Sequence, residues 1–196
     1  MPGGQACDCP EYRRDTASLS ARQGKRNVLI VGPSGSERTR LIEEIIDRVG
    51  LRKEGYYTKT VKDGLFRSHQ ELVLLSSGVS RALPDAAPET MDRHLVSTLE
   101  RALRAESTGL LVLDEVGALH CASALFRRLV VDCFTSDKSV LATMSLGGRE
   151  DGFLLSLESR ADVTVLPMRD EPHGDLIDLV ASLLSGDRAP QFALPH

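Results

Sequence analysis

Short apolar runs alternate along this chain with segments in which apolar residues recur at helical spacing. The runs predict strands with both faces buried, and the spaced segments predict amphipathic helices. Buried strands that alternate with helices indicate an α/β domain whose parallel sheet is covered by helices on both faces. The predicted strands are 28–31, 110–113, 139–143 and 162–166, and the predicted helices are 38–49, 89–105, 122–134 and 175–184.

The segment between the first two helices has a different pattern. Residues 56–61 and 65–75 are strand-like and flank Lys62-Asp63-Gly64. An Asp-Gly pair between two such runs favours a β-hairpin. Residues 76–88 are rich in Ser, Gly, Pro and Ala, and we expect a loop there. The prediction is therefore a mostly parallel sheet with an added hairpin.

Length and charge narrow the class of protein. The 196 residues suffice for one domain, which we place at 27–185 between a polar N-terminal tail, 1–26, and a C-terminal tail, 186–196. The net charge of -4 provides no general attraction to nucleic acid or to an anionic membrane. No apolar run approaches the roughly 18 residues that span a bilayer, and the N-terminus lacks the apolar core of a secretory signal. We expect a cytoplasmic protein.

The N-terminal tail and the cysteines leave alternatives open. Basic residues of the tail could contact an acidic protein partner, although the acidic residues among them favour a solvated segment. Cys7 and Cys9 form a C-x-C pair that could belong to a zinc or redox site completed by Cys121, His120 or Cys133. Zinc sites usually use more widely spaced pairs in two sets, so incidental tail thiols and small core residues are favoured.

The first strand runs directly into a loop that partly matches the phosphate-binding pattern G-x-x-x-x-G-K-[ST]. Such a loop offers backbone N–H groups and a helix N-terminus to phosphate, and its Ser or Thr binds Mg²⁺. Glu37 stands in place of the second glycine and Arg38 in place of the lysine, whereas Thr39 matches as the metal ligand. The candidate nucleotide-binding residues are Gly32, Pro33, Ser34, Gly35, Ser36, Glu37, Arg38, Thr39 and Arg40.

The second buried run ends in Asp114-Glu115, which is the Walker B arrangement. Asp114 would hold the Mg²⁺ ion, and Glu115 is the candidate catalytic residue that orients or polarises the attacking water. An acidic pair after a strand is also a common solvated strand end. The two elements together, each after a buried strand, favour a P-loop fold.

With these residues placed, the chain resembles the small nucleoside-triphosphatase family that includes the cancer-related nucleoside triphosphatase and its thermophile relatives. Beyond the loop, the similar blocks are Glu54-Gly55-Tyr56-Tyr57-Thr58 with the following hairpin, Leu111-Val112-Leu113-Asp114-Glu115-Val116-Gly117, and Asp137-Lys138-Ser139-Val140-Leu141-Ala142-Thr143. The resemblance implies a three-layer P-loop NTPase fold and slow, Mg²⁺-dependent hydrolysis of ATP, GTP and related nucleotides.

The departures from the family bear on activity. A Glu37 carboxylate about 5 Å from a phosphate charge would cost roughly 3 kcal/mol at an effective dielectric near 20. Glu37 could occupy the phosphate position, held by Arg38 or Arg40, or it could point to solvent from the first turn of the helix, where an acidic residue is favourable. Arg38 keeps the positive charge of lysine in a bulkier, forked group.

Three functions remain compatible with these residues. The first is a nucleoside triphosphatase with weakened activity, and the second is a pseudo-NTPase that serves as a regulatory or interaction module. The third is a small-molecule kinase, which is disfavoured because a Glu directly after the Walker B Asp suits water activation.

Overall fold

A computed structural model of the chain describes residues 26–33, 35–63, 67–76, 78–82, 88–117, 123–145, 151–168 and 173–185. Strands and helices alternate through these residues. In chain order they are β1 (Asn27–Gly32), α1 (Ser36–Arg48), β2 (Lys53–Asp63), β3 (Arg67–Leu74), β4 (Val79–Ala82), α2 (Pro88–Arg104), β5 (Leu110–Leu113), α3 (Ala124–Thr135), β6 (Ser139–Ser145), α4 (Gly152–Glu158), β7 (Val163–Pro167) and α5 (Gly174–Ser185).

The strands form one sheet in the order β4-β3-β2-β5-β6-β1-β7. The five strands from β2 to β7 in that order are parallel, and β3 and β4 add antiparallel pairs at one edge. The predicted parallel sheet with an added hairpin is therefore confirmed. Lys62 and Asp63, which were expected in the turn of the hairpin, belong to β2 because their backbone pairs with β3, and Gly64 lies outside the described residues. Strand β6 lies between β1 and β5, so the two candidate motifs follow strands that have one strand between them.

Helices cover both faces of the sheet, as the all-apolar strands predicted. Successive residues of a strand point to opposite faces. In β1, Val28 and Ile30 belong to a core with apolar residues of α1 and α5, whereas Leu29 and Val31 belong to a core with those of α2, α3 and α4. Because β1, β5 and β6 are parallel, their carboxyl ends lie at the same edge of the sheet.

Three further features of the sheet and its helices differ from the sequence prediction. Residues 79–82 were expected in a loop but form β4, because their backbone pairs with β3 at the sheet edge. Helix α4 was not predicted; Asp151 caps it by accepting from the N–H of Phe153 at 2.8 Å, and Leu154 and Leu157 are buried. Strand β7, expected to be buried, is only partly so because it is an edge strand.

A buried lysine joins α2 to the start of β6. Lys138 is 6% exposed, and its Nζ donates to the carbonyls of Ala102, Leu103 and Ala105 at 3.2, 3.0 and 2.7 Å. The last carbonyls of a helix have no partners within the helix, and a cation is favourable at this end. Lys138 therefore caps the C-terminus of α2.

Replacing Lys138 with Met should lower the free energy of unfolding by about 2 kcal/mol, because the methionine cannot satisfy the buried carbonyls. Chemical denaturation followed by circular dichroism measures the effect. The control is Lys62→Met, at an exposed position of β2, where a change within about 0.5 kcal/mol is expected. Equal effects of the two substitutions would contradict the capping role of Lys138.

No helix in the described ranges is long and apolar enough to cross a membrane. The two predicted tails lie outside those ranges, except for Arg26.

Candidate functional site

The loop between β1 and α1 presents an uncapped helix N-terminus. Gly35 is the N-cap of α1 and provides no side chain to bond the N–H groups of the first turn. Its φ of 147° is a conformation that residues with a side chain rarely adopt. Free N–H groups and the helix dipole make such an end suitable for an anion. Ser34 and the side chain of Ser36 lie outside what the structure describes.

The charged loop residues point to different surroundings. Glu37 and Arg40 are exposed, and Arg40 pairs with Glu44 at 2.9 Å along α1. Arg38 is only 4% exposed and turns to the carboxylates that follow β5. The hypothesis that Arg38 holds Glu37 in a phosphate position is therefore wrong, and Glu37 faces solvent in the first turn of the helix.

Arg38 joins the candidate phosphate loop to the two carboxylates that follow β5. Its Nη2 donates to Glu115 Oε2 at 2.5 Å, and its Nε lies 3.4 Å from Asp114 Oδ1. The side chain of Asp114 is 1% exposed and that of Glu115 is 22% exposed. A buried charge is stable only when paired. Arg38 thus provides the positive charge that these two carboxylates need.

Two threonines donate hydrogen bonds to the carboxylate of Asp114. Thr58 donates to Asp114 Oδ2 from its backbone N at 3.1 Å and from its hydroxyl at 3.2 Å. The hydroxyl of Thr143, on β6, donates to Asp114 Oδ1. Burial raises the pKa of the Asp114 carboxyl, although the charge of Arg38 and the hydrogen bonds from Thr143 and Thr58 act in the opposite direction.

The contacts of Asp114 do not fit a Mg²⁺ ion in this arrangement. An ionised carboxylate offers about four lone-pair directions, and Asp114 already receives three hydrogen bonds and the Nε of Arg38. Thr39, the other expected ligand, donates its hydroxyl to the carbonyl of Thr58 at 2.9 Å. A metal ion at Asp114 would have to displace protein donors and would lie beside a guanidinium.

Sequence reasoning did not assign the roles of Thr58 and Thr143. Each lies at the carboxyl end of the parallel sheet, Thr58 on β2 and Thr143 on β6, and these strands flank β5 on either side. The available signal was a threonine that follows the apolar positions of a strand, inside the blocks similar to the family. Reading that signal required the strand order, which places both threonines next to Asp114.

The cysteines give no sign of a metal or redox site within the described residues. Cys133 is buried in α3 as a free thiol, and burial raises its pKa to about 12, so it stays protonated at neutral pH. Cys7, Cys9, Cys121 and His120 lie outside the described residues. Within the ranges given above, no group of three or more His, Cys, Asp or Glu is placed to hold a metal ion.

Comparison with known proteins gives consistent results. A family model described as NTPase matches residues 27–180 of the chain. The nucleoside-triphosphatase THEP1 of Thermotoga maritima is 25% identical over 173 residues, which cover 82% of this chain and 97% of that protein. THEP1 of Methanocaldococcus jannaschii is 26% identical over 132 residues, which cover 60% of this chain and 76% of that protein.

Two solved structures are similar in fold. The crystal structure of THEP1 from Aquifex aeolicus matches with a TM-score of 0.64 at 19% identity, covering 81% of this chain and 98% of that one. The solution structure of a human cancer-related nucleoside triphosphatase matches with a TM-score of 0.65 at 21% identity, covering 83% of this chain and 99% of that one. These matches confirm the predicted P-loop fold.

Proposed function

Because this chain belongs to the NTPase family, we propose that it binds nucleoside triphosphates at the loop formed by residues 32–40 and hydrolyses them slowly or not at all. The observation behind the weak hydrolysis is the double contact of Arg38 with Asp114 and Glu115. The similarity to relatives named nucleoside-triphosphatase supports ATP, GTP or a related nucleotide as the ligand.

Binding rests on the N-terminal end of α1. The first-turn N–H groups of this helix have no side-chain cap at Gly35 and are suited to phosphate oxygens. Glu37 is exposed, so its carboxylate is screened by water and weakens binding by less than the roughly 3 kcal/mol expected for a fixed charge about 5 Å away. The loop therefore keeps the elements of phosphate recognition despite its altered residues.

Weak turnover follows from the contact of Glu115. A catalytic carboxylate in this position has to orient a water molecule and polarise it. Oε2 of Glu115 instead accepts from Arg38 at 2.5 Å, which stabilises the negative charge of the carboxylate and occupies one of its two oxygens. Asp114 and Thr39, the expected Mg²⁺ ligands, are engaged by protein partners as well.

The same contact favours a pseudo-NTPase as the second candidate function. A chain that binds nucleotide without turnover could act as a regulatory or interaction module, with the N-terminal tail as a candidate contact for a protein partner. Phosphate release separates the two functions, and a screen of small-molecule acceptors tests for phosphoryl transfer by a kinase.

Nucleotide binding is tested by thermal unfolding with ATP or GTP. At ten times the dissociation constant, we expect the unfolding temperature to rise by about 3 to 5 °C. Adenosine and guanosine are the matched controls, since they carry the base without phosphate, and they should produce no shift. Absence of any shift at millimolar ATP and GTP would refute the proposed binding.

Residual turnover is assigned with the Glu115→Ala variant. If the natural protein releases phosphate and this variant does not, the chain is an enzyme that uses Glu115. If the natural protein binds nucleotide and releases no phosphate, the pseudo-NTPase function holds.

A further inference from the structure

The charge that Mg²⁺ normally provides at a Walker B pair is provided here by a side chain. Arg38 lies between Asp114 and Glu115, with its Nε 3.4 Å from one carboxylate and its Nη2 2.5 Å from the other. We propose that this site takes a nucleotide as the metal-free polyphosphate anion and discriminates against its Mg²⁺ complex. The inference rests on the proposed function, that is, on nucleotide binding at residues 32–40.

A Mg²⁺ ion would compete with protein donors for the oxygens of Asp114. A Mg²⁺ ion that entered with the nucleotide would need an Asp114 oxygen, and both oxygens already accept from Thr58 and Thr143. The backbone N of Thr58 belongs to β2 and cannot turn away without a change in the sheet. Thr143 is fully buried in β6, so turning its hydroxyl away from Asp114 would cost a buried hydrogen bond. Mg²⁺ also demands near-ideal octahedral geometry, which this crowded carboxylate cannot provide.

A Mg²⁺ ion at Asp114 would also be repelled by the positive charge of Arg38. A divalent ion at Asp114 would lie within a few ångströms of the Arg38 guanidinium, which is 4% exposed. Repulsion between like charges is strong at such distances where water is excluded. Arg38 cannot lose its charge, because an arginine side chain stays protonated in proteins. It could only move away, which would leave two carboxylates without their buried counter-charge.

Arg38 also has one hydrogen-bond donor, its Nη1, that no described residue accepts from. This nitrogen is buried in the folded chain. Arg38 follows Gly35 by three residues, in the same uncapped first turn of α1. An acceptor-rich anion would satisfy both the Nη1 and the free N–H groups. In a Mg²⁺ complex, the ion binds some of the phosphate oxygens and neutralises part of their charge, so the free polyphosphate is the better partner for these donors.

Isothermal titration of the natural protein with ATP, in EDTA and in excess Mg²⁺ at equal ionic strength, tests the inference. We expect the dissociation constant in EDTA to be at least about tenfold lower than in Mg²⁺, since one decade is the loss of a single charge-assisted contact. Binding that is equal in the two conditions, or tighter in Mg²⁺, would overturn the inference and leave the proposed function intact. Absence of binding in both conditions would refute the proposed function itself.

The variant Arg38→Lys links the preference to the guanidinium. Lysine keeps the charge but has no fork with which to hold two carboxylates, so binding should become tighter in Mg²⁺ than in EDTA. The matched control is Arg48→Lys, in the last turn of the same helix, where the side chain pairs with Asp178; it should keep the preference for EDTA. Circular dichroism verifies that each variant is folded.

A second measurement counts the metal directly. Electron paramagnetic resonance of Mn²⁺, in the presence of ATP, should show no protein-bound ion with the natural chain and about one bound ion with Arg38→Lys. A protein-bound Mn²⁺ ion in the natural chain would overturn the inference whatever the calorimetry gives. If Arg38→Lys does not fold, the EDTA and Mg²⁺ titrations of the natural protein still decide the question.

Discussion

Replacing Glu37 with Gly and Arg38 with Lys in one variant should raise the rate of phosphate release from ATP, with Mg²⁺ present, by about two orders of magnitude. The expected gain comes mainly from Arg38, because its removal frees the Glu115 oxygen that it holds at 2.5 Å. A correctly placed acid or base contributes roughly 10² to 10⁴ to a rate. A steady-state assay of released phosphate, for ATP and for GTP, measures the change.

The single variants divide this gain between the two residues. Arg38→Lys alone should produce most of the increase, since Arg38 touches both carboxylates. Glu37→Gly alone should change turnover by less than about tenfold, because Glu37 is exposed. Adding Glu115→Ala to the double variant should return the rate to background, which assigns the gained activity to this site.

A different result would redirect the search. If the double variant binds nucleotide and still releases no phosphate, the chain has lost more than its loop residues, and its function has to be sought in protein partners. If Arg48→Lys raised the rate as much as Arg38→Lys, the contacts of Arg38 would not be the cause of the weak turnover, because Arg48 pairs with Asp178 outside the loop.

Replacing Gly55 with Ala should lower the free energy of unfolding by about 3 to 5 kcal/mol, a large share of the stability of a typical domain. Gly55 has a φ of 116°, which residues with a side chain rarely adopt. A Cβ at this position would lie 2.1 Å from the carbonyl oxygen of Val112, its partner on β5. The atoms that the Cβ would meet are backbone atoms of β5, the strand that leads to Asp114 and Glu115. Unlike the end of a flexible side chain, this backbone cannot move aside.

Denaturation with guanidinium chloride, followed by circular dichroism, measures the effect of Gly55→Ala. The matched control is Gly50→Ala, where a Cβ meets nothing within 4 Å and the backbone has no positive φ. The control should change the free energy of unfolding by less than about 1 kcal/mol. A loss below about 1 kcal/mol in Gly55→Ala would show that β2 and β5 can separate locally.

Local patterns were sufficient to predict the elements that carry the site. The run 28–31 and the run 110–113 are apolar at every position, because parallel strands covered by helices on both faces have no solvent side. Loop 32–40 and Asp114-Glu115 follow those runs directly, so their place at the strand ends could be predicted from neighbouring residues alone. The helices at 38–49 and 89–105 were predictable for a similar reason, since helical spacing is a local signal.

Strand β4 and the contacts of the site depended on partners distant in sequence. Residues 79–82 contain Ser and Arg and have no strong strand pattern, and they form a strand because β3 offers an edge. Arg38 and Glu115 are 77 residues apart, and the local sequence pattern does not predict which side chains come into contact. Their contact requires the strand order in which only β6 separates β5 from β1, and Thr143 of β6 donates to Asp114 beside it.

Burial pattern and loop residues are local features of the sequence, and they were enough to predict the class of fold, the candidate phosphate-binding loop and the two altered residues within it. The surroundings of those two residues became visible only in the folded chain. Glu37 faces solvent, whereas Arg38 is buried against Asp114 and Glu115. A buried charge is stable only beside an opposite charge, and the carboxylates that pair with Arg38 follow β5, which is distant in sequence and is brought to the loop by the folded sheet.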